Sequence, residues 1–185
     1  MNELASSKRS DSMKKTLLAL ALMLPVVAVL GVATAGGSPP DDLQAVQAAT
    51  ARYHSLDQAF KDGYSIAGEP CVPPVGPRSP AMGIHAKNEA LMADPAIDLL
   101  RPELLLYMPD HHGKLRLVAV EYWMADADQK FATSGDRPSL LGRPFDGPMP
   151  GHNPTMPVHY DLHVWLWEDN PSGLFAQFNP SLACP

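Results

Sequence analysis

Leu43, Val46, Thr50, Tyr53, Leu56 and Phe60 recur at three- and four-residue steps. That is the period of one apolar stripe on an amphipathic helix. Asp41 and Asp42 precede the stripe, where acidic side chains favour the positive end of a helix. Gly63 follows it as a stop. The pattern predicts one N-terminal amphipathic helix.

Further on, the period changes from helical to alternating. Residues 104–108 read as a strand, Pro109 to Gly113 as a turn, and 114–123 as the return strand. On the return strand Leu115, Leu117, Ala119, Glu121 and Trp123 share one face by alternation, and Arg116, Val118, Val120 and Tyr122 share the other. Both faces are largely apolar, which predicts a central strand. Residues 158–167 form the last long strand, with Val158, Tyr160, Leu162, Val164 and Leu166 facing one way. His159, Asp161, His163, Trp165 and Trp167 face the other way. Residues 170–173 read as a turn, 174–178 as a short partner strand, and 81–85 as a short edge strand.

Proline changes the picture between these elements. The chain has 20 prolines in 185 residues, against a usual share of about 5%. They concentrate in 70–80 and 138–157, which predicts loops over 64–82 and over most of 125–157. The order helix, loop, hairpin, loop, hairpin gives an α+β fold. It predicts an antiparallel, curled sheet or partial barrel with one N-terminal amphipathic helix and long Pro-rich loops.

Residues 1–35 read as an address rather than as fold. Lys8, Arg9, Lys14 and Lys15 precede an uncharged apolar run from Leu17 to Val32, and Ala33-Thr34-Ala35 offers small residues for cleavage. This is the pattern of a secretory signal peptide. The alternative is a membrane anchor, but the run is shorter than the ~20 apolar residues that a spanning helix needs. The expected organisation is a signal peptide over 1–35 and a single secreted domain over 36–185, periplasmic or extracellular, with no membrane attachment after cleavage. Residues 36–185 hold 10 basic and 18 acidic residues. That balance argues against nucleic acid as a partner; a small-molecule ligand stays open as one. Export also favours a disulfide between the two cysteines, Cys71 and Cys184.

Candidate chemistry centres on Glu121, which falls in a strand that reads as buried. A carboxylate there needs an arginine, an exit into water, or a metal. His159 and His163 share a strand face with Asp161 between them; that face either presents ligands or is simply the solvent side. His85 follows Gly83, which permits close backbone approach. Together His85, Glu121 and His163, with His159 as a spare ligand or acid/base, make a two-histidine, one-carboxylate set that zinc, iron or manganese accepts. One ion cannot join them if their side chains lie more than about 8 Å apart.

Two alternatives remain open. Trp123, Trp165, Trp167 and Tyr160 could line a small-molecule pocket in a non-catalytic envelope module, or could be core. Met149, His152, Met156 and His159 offer the thioether and imidazole donors that copper favours, or cover apolar surface. His111 and His112 fall in the hairpin turn and read as solvated. Ser55 beside His54 lacks the glycine context of a nucleophile elbow, and no phosphate-binding glycine loop is present.

The combination of Met82 to His85, Arg101 to Tyr107, Val120 to Tyr122, His163 to Trp167, Asn170 to Ala176, Asn179-Pro180 and Cys184 resembles a group of small exported bacterial proteins of unknown function. The resemblance covers most of residues 36–185. It implies export and a single domain, and it implies no activity, ligand or named fold.

Overall fold

The computed structural model describes residues 39–72, 79–151 and 155–185. The expected signal segment, several prolines of the first loop and His152 lie outside the described residues. Helix α1 (Pro39–Thr50) begins on proline, whose missing N–H costs nothing in a first turn, and carries Asp41 and Asp42 there. A 3-10 turn (Ala51–His54) and α2 (Leu56–Lys61) follow. The predicted single helix is therefore broken. Thr50 donates its hydroxyl to the Val46 carbonyl at 2.8 Å, and Ser55 adopts an extended conformation and caps α2 through Gln58. The break resets the helical phase. Ala59 is fully buried, whereas Phe60, the last residue of the predicted stripe, is 44% exposed.

Strands β1 (Cys71–Val72), β2 (Gly83–Lys87), β3 (Leu104–Pro109), β4 (Leu115–Ala125), β7 (Asp146–Met149) and β8 (His159–Val164) form one curled, partly barrel-like antiparallel sheet in the order β1-β2-β3-β4-β8-β7. A short helix, α3 (Glu89–Met92), follows β2 and is capped by the Asn88 side chain. Strands β5 (Ser139–Leu140) and β6 (Arg143–Pro144) make a separate small hairpin. Among the described residues no helix is long and apolar enough to cross a membrane.

Several expectations change. β2 is not an edge strand, because β1 and a bridge between Ser65 and Lys87 cover its outer side. Residues 174–178 form no strand. The edge of β8 is taken by β7 instead, and the Leu174 and Ala176 carbonyls accept the backbone and indole N–H of Trp165. Within the second proline loop, β7 tolerates Pro148 because an edge strand can lose one ladder donor.

The largest correction concerns the faces of β4. Leu106 pairs with Ala119, but Tyr107 pairs with Leu117. Val118 is thus an extra residue, a β-bulge that reverses the alternation. Leu117 joins Val120 and Tyr122 in the core beneath the helices, with Val46, Tyr53, Leu105, Tyr107, Tyr160, Leu162 and Val164. Val118, Ala119 and Trp123 face the opposite core, which contains Leu104, Leu106, Trp165, Leu182 and Cys184. Glu121 therefore does not share a face with Leu115 and Leu117. It lies on the side covered by the C-terminal tail, which the Cys71–Cys184 disulfide ties to β1.

Candidate metal centre

Three strands bring His85, Glu121 and His163 together. Glu121 on β4 is the direct cross-strand partner of His163 on β8. His85 on β2 pairs with Leu106, which pairs with Ala119, so its row lies one pleat from Glu121. The approach of β2 depends on Gly83. It has φ +111°, and a Cβ there would lie 2.8 Å from the Tyr107 carbonyl oxygen.

Glu121 Oε2 lies 3.2 Å from His85 Nε2 and 3.6 Å from His163 Nε2. One ligand atom from each of the three residues falls within 4.8 Å of the other two, a few tenths of an ångström from the span of up to about 4.4 Å that two donors at about 2.2 Å from a shared ion can hold. The two imidazole rings stand nearly perpendicular, with centroids 6.4 Å apart. His163 is fully buried, Glu121 is 3% exposed and His85 is 7% exposed.

Both expectations that would make Glu121 and the β8 face ordinary are overturned. Among the described residues no arginine pairs with Glu121: its ion-pair neighbours are the two histidines, and Arg116 pairs with Glu168. His159, Asp161 and His163 are not on a solvent face, for all three are completely buried. Among the described residues Glu121 Oε2 and both His163 nitrogens have no hydrogen-bond partner. Buried polar atoms are normally satisfied, so Glu121 Oε2 and His163 Nε2, facing each other at 3.6 Å, mark a place for a ligand, while His163 Nδ1 faces Asp161 instead.

The electrostatics agree. Burial alone would raise the Glu121 carboxyl, but His163 and then His85 hold it well below the usual carboxylate range. Burial would lower the His163 imidazole, but the Glu121 carboxylate, with Asp161 and Asp146 beyond it, raises it to about 9. Glu121 and Asp161 are buried, as are Glu103 and Asp126. Among the described residues no lysine or arginine is buried. Positive charge at this cluster must come from an imidazolium or from a bound cation.

The other predicted residues scatter. His159 lies outside the set: it pairs with Ala125, four register positions beyond Glu121, its Nδ1 is 3.0 Å from the Pro157 carbonyl, and its ring stacks on Trp123 at 5.6 Å. Trp123, only 6% exposed, lines a cleft of about 250 Å³ with Lys87, Met92 and Met156. Trp165 is core, its indole N–H bound to the Ala176 carbonyl at 2.6 Å. Trp167 follows the end of β8, where alternation no longer holds, and packs edge-on against His54 at 4.4 Å on the helical side. Tyr160 also faces the helices and donates to Asp136 at 2.8 Å. The four aromatic residues therefore form no common pocket. Met149 is a register partner of His159, whereas Met156 packs beside Trp123.

Two buried carboxylates around the site were not singled out by the pattern. Asp161 Oδ1 lies 3.6 Å from His163 Nδ1; its spacing of two from His163 was the available signal. Glu103 is pushed up to about 7, chiefly by burial, although its carboxylate accepts the Trp123 N–H at 3.1 Å. Pro102 before it and an unbroken apolar strand after it give no periodic signal of its burial. Comparison of the chain with protein-family models, curated proteins and solved structures returns no match.

Proposed function

We propose that this protein binds a single divalent metal ion through His85, Glu121 and His163, within a domain exported from the cytoplasm. The observation that carries the reading is the buried convergence of three donor atoms, one from each residue, within 4.8 Å. Two neutral imidazoles and one carboxylate suit zinc, iron(II) or manganese(II). Both cysteines are engaged in the disulfide, so no thiolate enters the set. Three protein ligands leave a coordination position for water or for a donor atom of a small molecule. The cleft beside Trp123 lies one pleat along the same face and supports a ligand site there. Export is supported by the charged, apolar and small-residue succession of residues 1–35.

Titration of the metal-free protein with zinc and with manganese tests the metal reading. Saturable binding of one ion per chain, lost in His85→Ala and in Glu121→Gln, is the expected result. Equal binding by the wild type and both variants overturns it. For export, expression with the native N-terminus and recovery of a shortened, disulfide-bonded chain outside the cytoplasm is expected; retention of the full-length chain in the cytoplasm counts against it.

A further inference from the structure

We infer that Asp161 is the positioning residue of the metal centre, holding His163 so that Nε2, and not Nδ1, is the nitrogen offered beside Glu121. The inference rests on the metal reading above. His163 Nε2 is 3.6 Å from Glu121 Oε2, and Nδ1 is 3.6 Å from Asp161 Oδ1. The ring is completely buried, and among the described residues neither nitrogen has a hydrogen-bond partner. A neutral imidazole that gives one lone pair to a metal carries its proton on the other nitrogen, and that proton needs an acceptor. Asp161 supplies it from two positions earlier on β8, where alternate side chains share a face. The present separation exceeds a formed hydrogen bond, and a ring movement of about 0.7 Å closes it.

Asp161 is itself fixed in place. It is fully buried, it sits between Trp123 on β4 and Asp146 on β7 in the ladder, and its Oδ1 lies 3.4 Å from the Gln177 amide nitrogen. Its Oδ2 has no hydrogen-bond partner among the described residues. With both imidazoles neutral, the carboxylates of Glu121 and Asp161 together balance the charge of one divalent ion.

The test compares zinc affinity in wild type, Asp161→Ala and Asp161→Asn, alongside melting of the zinc-free proteins and 15N NMR of the His163 ring in the zinc-loaded state. Asp161→Ala should bind zinc about 10–100-fold more weakly. Asp161→Asn, whose amide oxygen still accepts the Nδ1 proton, should recover most of that loss. The wild-type and Asn proteins should both show a protonated Nδ1 and a zinc-bound Nε2. If Asp161→Ala does not fold, the Asn variant and the NMR assignment carry the test. Zinc on Nδ1, or wild-type affinity in Asp161→Ala, overturns the inference while leaving the metal reading intact. Absence of zinc binding by wild type overturns both.

Discussion

Glu121 and His163 stand directly opposite each other on β4 and β8, and the 3.6 Å between Oε2 and Nε2 is closed off from water on both sides. In the metal-free protein this is an ion pair whose partners depend on each other. Removing one partner of a buried pair leaves the other charge uncompensated, at a cost of about 3–5 kcal/mol. His163→Ala should therefore lower the stability of the metal-free protein by about 3–5 kcal/mol in urea denaturation, and Glu121→Gln/His163→Ala should recover part of it.

The same pair sets a pH dependence. Glu121 is held below its ordinary value, so its contribution is present above about pH 4.5 and is lost as pH falls toward about 2. His163 is raised, so its contribution is complete below about pH 6.5 and is lost as pH rises through about 9. A metal must displace the His163 proton. Calorimetric zinc titration at pH 7 in two buffers of different ionisation enthalpy should report release of about one proton per ion bound. Zinc affinity should fall as the pH is lowered from 9.

Glu103 behaves in the opposite sense to Glu121. Its carboxyl is raised to about 7, mainly by burial, so the protonated form is favoured by folding. The contribution is complete below about pH 4.5 and is lost as pH rises through about 7. Glu103→Gln keeps an oxygen to accept the Trp123 N–H and removes the charge. The variant should match wild type at pH 4.5 and exceed it by about 1–3 kcal/mol at pH 8, measured by denaturant midpoints.

Gly83→Ala separates fold from site. The substitution forces a φ of +111° on a side chain and sets its Cβ against the Tyr107 carbonyl. It should cost about 1–3 kcal/mol and displace His85, weakening zinc binding beyond the loss of stability.

The disulfide closes a loop of 113 residues and anchors the tail over the face that holds the cluster. Reduction should cost about 2–4 kcal/mol, read as a lower unfolding midpoint.

The α+β class and the three main strands were legible because the apolar pattern is strong over 104–108, 114–123 and 158–167. His85, Glu121 and His163 could be named because a polar residue inside such a run needs a reason to be there. What periodicity could not carry was any event that shifts phase. Ser55 restarts the helix and turns Phe60 outward; Val118 bulges from β4 and moves Leu117 to the helical core. The end of β8 at Val164 likewise removed Trp167 from the site face. The role of Asp161 needed a distance, because its position on the strand alone does not show which nitrogen of His163 it meets.

The most direct test of the metal centre is elemental analysis of untagged protein purified without chelators, for wild type and His163→Ala. Close to one zinc, iron or manganese per wild-type chain is expected, and none above background in the variant. A wild-type chain that holds no metal, even after dialysis against each of these ions, would contradict the metal reading.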